Sequence, residues 1–139
     1  MKKLLFAALF VASASIFVVQ AKAQVIVIAN NSVKTSEVSK NDLKDVFTGA
    51  STSLGGGSVV PILLKAGTAH EEFLQAYIGK NDTAYRAGWR SLVFTGQASM
   101  PKSLDTDSAV VEFVAHNAGA IGYIGKASAH EGVKVLAVK

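Results

Sequence analysis

Residues 59–74, Val-Val-Pro-Ile-Leu-Leu-Lys-Ala-Gly-Thr-Ala-His-Glu-Glu-Phe-Leu, change their periodicity within a few positions. A short apolar run ends at Lys65, passes through Ala66-Gly67, and enters a segment where Phe73, Leu74, Tyr77 and Ile78 share one helical face. Pro61 near the start of the run is tolerated in a strand's first residues or on an edge. Thr68 with Glu71 three residues later has the form of a capping box, and Gly79 is placed to stop the helix in a left-handed conformation. The stretch therefore predicts strand–loop–helix, and Lys65, Thr68 and the free N–H groups of Gly67–Ala69 converge at one helix start. Such a start favours anions through its N–H groups and its dipole. The commoner meaning of the same pattern is a plain cap beside a solvated lysine, and the residues alone leave both open.

Residues 1–23 predict a cleaved signal peptide rather than part of the fold. Lys2 and Lys3 precede an apolar run from Leu4 to Val19, and Ala21-Lys22-Ala23 offers the small-x-small pattern before Gln24. The run is short for a bilayer span, which takes ~20 apolar residues. No span is expected after cleavage, and export to a bacterial periplasm is. The chain has no cysteine, so neither a lipid anchor at a lipobox nor a disulfide is available. Of the 14 basic residues, Lys2, Lys3 and Lys22 belong to the leader, leaving 11 against 10 acidic ones. A balance near neutrality, with no basic stripe interleaved with aromatics, argues against a nucleic-acid partner. Residues 24–139 make up one domain's worth of chain with no repeat or linker.

Val25–Ala29 is a continuous β-branched run, which predicts a strand buried on both faces as in a parallel sheet. Asn31 and Ser32 follow at its end, where open α/β sheets gather ligands, although Asn-Asn-Ser is also ordinary turn chemistry. Ser39 and Asp42 predict a helix start, with Leu43, Val46 and Phe47 inward and Gly49 as its stop. Asn81-Asp82-Thr83 predicts another, carrying Tyr85, Trp89, Leu92 and Val93 at helical spacing. Arg86 and Arg90, four apart, share a face that is solvated by default. The region from Asp105 to Asp107 starts a further helix with Val110, Val111, Phe113 and Val114, ending before Gly119. Ala120–Ile124 and Val133–Val138 then predict two strands, the last a half-exposed edge. Helices interleaved with apolar strands give an α/β domain over a mainly parallel sheet, flanked by about four helices.

Several of these pieces occur together in one order: Leu43-x-x-Val46-Phe47-x-Gly49, Val60-Pro61-Ile62 running into Lys65 and Gly67-Thr68, Phe73, Trp89, Phe94-x-Gly96, and Gly119-Ala120-Ile121-Gly122-Tyr123. In that order they resemble the phosphate-binding periplasmic proteins of ABC transporters, and more closely a short, single-lobe relative of them. The resemblance implies one lobe of a type II periplasmic-binding-protein fold. It implies binding of phosphate or a similar oxyanion for ABC-type transport or sensing, with an ABC permease or a self-dimer as partner. It places the anion at Lys65, Gly67, Thr68 and Ala69; Asn31 and Ser32 are weaker candidates, because parallel strands would bring their loop to the same sheet edge. The family's anion loop carries Arg and Ser-Gly-Thr, whereas this chain has Lys65-Ala66-Gly67-Thr68, and the other lobe is absent from it. Lysine lacks the bidentate fork of arginine.

The alternative is a ligand-free, single-lobe interaction module in an envelope complex. An enzyme is not expected, since no nucleophile–base spacing occurs. No metal or cofactor is expected either. His70, His116 and His130 are scattered without ligand spacing, and His70 and His116 read as surface residues.

Overall fold

The computed structural model describes residues 24–139, so the expected signal peptide lies outside the described residues. In chain order the elements are β1 (Val25–Ala29), β2 (Glu37–Val38), α1 (Lys40–Thr48), β3 (Ser53–Leu54), β4 (Gly57–Ser58) and β5 (Val60–Leu64). Then come α2 (Thr68–Phe73), a π-helical turn over Leu74–Ile78, α3 (Asp82–Phe94), β6 (Lys102–Leu104), α4 (Asp107–His116), β7 (Ala120–Gly125) and β8 (Lys134–Val138). A six-stranded sheet has the order β2-β8-β1-β7-β5-β6, with β3 and β4 as a separate hairpin. Strand β5 is parallel to β6 and β7, and β2 to β8, so the sheet is mainly parallel and carries four α-helices.

Two details depart from the sequence expectation. Strand β1 is buried as its composition demands, yet it runs antiparallel to both β7 and β8. A continuous apolar run registers cover on both faces and carries no information about direction. The expected edge strand β8 lies one position inward, because β2 pairs beyond it, Glu37 opposite Ala137 and Val38 opposite Val138. A two-residue strand has no periodicity to read.

Neighbouring residues of β7 show how the layers form, since successive strand side chains point to opposite faces. On one face, a Cβ at Gly122 would meet Val110 Cγ1 of α4 at 2.8 Å, so the glycine is what lets α4 lie close to the sheet. On the other, Tyr123 stacks on Phe73 of α2 with centroids 3.9 Å apart, and Phe47 of α1 meets Phe73 edge-on at 4.9 Å. The helix starts follow local chemistry. Ser39 caps α1 through Asp42 N–H at 3.0 Å, Asn81 caps α3 through Ala84 N–H at 2.8 Å, and Thr106 caps α4 through Ala109 N–H at 3.1 Å. Val93, expected inward on α3, is 42% exposed, and Phe94 follows it outward.

Gly119 is left-handed, with φ +75°, but it does not cap α4, whose cap Asn117 is extended. It joins strands instead: its carbonyl accepts from Val60 N–H at 2.8 Å and its N–H donates to Ser32 Oγ at 2.9 Å. A Cβ there would lie 2.8 Å from Ser58 O. We predict that Gly119→Val lowers stability by ~2 kcal/mol or more, combining left-handed strain with a clash against backbone. Urea unfolding checks this; an unchanged midpoint would mean the turn rearranges freely.

Candidate functional site

The turn after β5 is shaped by Gly67, which holds φ +105° and ψ 175°, a conformation left to glycine. Gly67 is itself the cap of α2, and no side chain bonds the first-turn amides. Thr68 is the first helical residue, so the expected capping box with Glu71 does not form. Moving the boundary by one residue carries the Thr68 hydroxyl past the position from which a cap reaches the third amide. Ala66, Gly67, Thr68 and Ala69 line a depression of about 500 Å³ with Gln24, Glu72, Asp105 and Asp107. Lys65 stands at its rim, its Nζ 3.2 Å from Asp105 Oδ1, with both side chains more than half exposed. The Asp107 carboxylate is already engaged, accepting from Gly125 N–H at 3.0 Å and Ser128 Oγ at 2.6 Å. A larger depression of about 880 Å³ runs along α2 toward the start of α3 and shares Thr68 and Glu72 with the first.

Behind the turn is a polar network that the sequence reading missed. His70, expected at the surface, is 1% exposed. Its Nδ1 lies 2.5 Å from Tyr123 Oη and its Nε2 2.6 Å from Asp82 Oδ1. Tyr123 Oη also accepts from Leu64 N–H at 3.1 Å. Asp82 Oδ1 can only accept, so Nε2 carries the hydrogen of that bond, while the Tyr123 hydroxyl meets Nδ1 on the other side of the ring. Arg86 completes the frame. Its Nε donates to Asp82 Oδ1 at 2.8 Å, and one terminal nitrogen donates to Leu64 O at 3.3 Å and Lys65 O at 2.9 Å. Arg86 therefore buttresses the turn from below rather than facing a ligand. A signal for His70 was present: positions 70, 73, 74, 77 and 78 form one continuous helical stripe.

No protein-family model matches this chain, and no curated protein matches it by sequence. Solved structures do. It is similar to an ABC-type phosphate transport receptor from Vibrio cholerae at 15% identity and TM-score 0.57, covering 83% of this chain and 46% of that one. It is similar to a putative phosphate ABC transporter substrate-binding protein with bound phosphate from Clostridium perfringens, at 19% and 0.60, covering 83% and 44%. A third is PstS from Borrelia burgdorferi, at 17% and 0.61, covering 84% and 47%. This chain has the fold of part of a phosphate-transport receptor. The likeness is one of fold, and the chain spans less than half the length of each receptor.

Within this receptor-like fold the expected site residues divide. Gly67, Thr68 and Ala69 line one depression with Lys65 at its rim, at the sheet edge where β5 and β7 end and β1 begins. Asn31 and Ser32 lie at the opposite edge, because β1 is antiparallel and its end meets the start of β7. The length of a strand separates the two edges, on the order of 15 Å. There Asn31 Nδ2 donates to Gly132 O at 3.4 Å and Ser32 Oγ accepts from Gly119. The two groups are not brought together.

Burial raises the Asp82 pKa, but the His70 hydrogen bond and the Arg86 charge outweigh it and hold the carboxyl below its usual value of 3.8. Its contribution is present above that value and is lost as acid protonates the lowered group. Burial pushes the Tyr85 phenol up to about 12 and raises the Tyr123 phenol as well. Both phenols thus lend stability that is full below the ordinary value of 10.0 and falls away as pH rises past it. Urea midpoints should decline above that pH, and Tyr85→Phe should flatten part of the decline. An unchanged alkaline slope in that variant would contradict the assignment.

Proposed function

We propose that this protein is an exported, solute-binding-like domain that takes phosphate or a similar oxyanion at the Lys65–Ala69 turn, for ABC-type transport or sensing. The observation that carries the reading is the turn itself. Gly67 caps α2 without a side-chain acceptor, so the first-turn amides open on the depression beside Lys65. The receptor-like fold supports it, since one of the structural neighbours is described with bound phosphate. Export to the periplasm rests on the expected signal peptide. Binding rather than catalysis is supported by the structural neighbours, which are described as a transport receptor and a substrate-binding protein.

One observation favours the ligand-free interaction module instead. Glu72, Asp105 and Asp107 line the same depression, and Asp105 already occupies Lys65. An ion pair in such an open place is worth ~1 kcal/mol or less, so an anion can compete for the lysine but gains little from it. Calorimetric titration with inorganic phosphate at low salt separates the readings. The oxyanion reading expects binding that weakens severalfold in Lys65→Ala, with a flatter salt dependence and an unchanged melting midpoint. Binding indifferent to Lys65 would overturn this site. Absence of binding would favour the interaction module.

A further inference from the structure

A trans peptide points its C=O and its N–H in opposite directions, so whatever holds the carbonyl also aims the amide that follows it. The peptides of the turn after β5 are trans. Leu64 N–H donates to Tyr123 Oη at 3.1 Å, and Lys65 N–H donates to Leu104 O at 2.9 Å. The carbonyls of Leu64 and Lys65 both accept from one terminal nitrogen of Arg86, at 3.3 Å and 2.9 Å. Gly67 O accepts from Glu71 N–H at 3.0 Å. The N–H of Ala66 stands apart, since it has no hydrogen-bond partner among the described residues. Ala66 is exposed and lines the depression beside Lys65.

The Lys65–Ala66 peptide is therefore oriented from its carbonyl end. Arg86 is not part of the depression's lining and Ala66 is, so drawing Lys65 O to the guanidinium turns Ala66 N–H the other way, to the open side. The guanidinium is itself fixed. Its Nε donates to Asp82 Oδ1 at 2.8 Å, an acceptor shared with His70, and the Arg86 side chain is 21% exposed. We propose that Ala66 N–H is a further donor of the candidate anion site and that Arg86 is its positioning residue, acting on the anion only through the Lys65–Ala66 peptide. This role rests on the oxyanion reading and deepens it. Without Arg86 the peptide is free to turn over, and a carbonyl dipole then faces the ligand where a donor stood. Such a flip reverses the sign of the contact instead of merely deleting one bond. Lysine is no substitute, because one ammonium lacks the planar fork that spans Asp82 and two carbonyls.

Amide spectra and calorimetry with inorganic phosphate at low salt test the assignment. In the native protein the Ala66 amide should shift saturably along with those of Gly67–Ala69. Arg86→Gln should weaken phosphate about tenfold or more and reduce the Ala66 shift at saturation more than the other three. Its stoichiometry should stay native, since a variant that had merely lost structure would lose sites rather than affinity. Its salt dependence should stay native too, unlike that of Lys65→Ala, because Arg86 pairs with Asp82 and not with the anion. Arg86→Lys, with the charge and without the fork, should remain severalfold weaker than native. An Ala66 amide that stays still while Gly67–Ala69 move overturns this inference and leaves the oxyanion reading standing. So does an Arg86→Gln variant that binds as the native protein does, or an Arg86→Lys variant that restores native affinity. A native protein whose turn amides all ignore phosphate defeats the oxyanion reading, and this inference with it.

Discussion

Tyr123→Ala should cost about 4–5 kcal/mol, enough to bring a domain of this size close to unfolding at ordinary temperature. Tyr123 is fully buried and stacks on Phe73 with an interplanar angle of 1°, so deleting the ring opens a cavity at the centre of the α1–α2 layer. The same deletion strands Leu64 N–H and His70 Nδ1, both of which bond the phenol. Tyr123→Phe separates the two effects. It keeps the stack and removes only the hydroxyl, so its cost should be ~1–3 kcal/mol, the penalty for leaving buried partners unpaired. Equal losses for the two variants in urea unfolding would show that the ring contributes nothing, and would contradict the packing described.

The second large effect is at His70. His70→Ala should destabilise by ~3 kcal/mol, through loss of a buried ring and exposure of two dangling partners, the Tyr123 hydroxyl and the Asp82 carboxylate. Asp82 is partly exposed and keeps Arg86, so water and the guanidinium recover part of its share. The Tyr123 side has no such recourse. His70→Gln, which can still hydrogen-bond, should therefore cost less than His70→Ala. Amide exchange would localise the damage: Leu64 N–H should lose protection in His70→Ala before β1 does. Uniform loss would mean that the network supports the whole sheet rather than the turn.

The sequence showed the layers more clearly than the connections between them. Ser39, Asn81 and Gly49 announced their helix ends because a cap is a local device that needs only a few residues. The direction of β1 was hidden, since an apolar run is the same in either orientation, and this is why Asn31 and Ser32 were grouped with a turn at the other edge. Thr68 falls one residue from its expected place because Gly67 can cap a helix as threonine can, and spacing alone does not choose between them. The His70–Tyr123 bond joins residues 53 apart in sequence and leaves no local trace. The family resemblance drawn from scattered motifs agreed with the fold found, while leaving the anion unplaced.

Nitrogen–proton correlation spectra of the protein, titrated with phosphate against chloride at matched ionic strength, test the central claim most directly. Saturable shifts should concentrate on the Gly67, Thr68 and Ala69 amides, leave Asn31 and Ser32 unmoved, and shrink in Lys65→Ala. Spectra that phosphate does not change, or shifts centred away from this turn, would contradict an oxyanion site there.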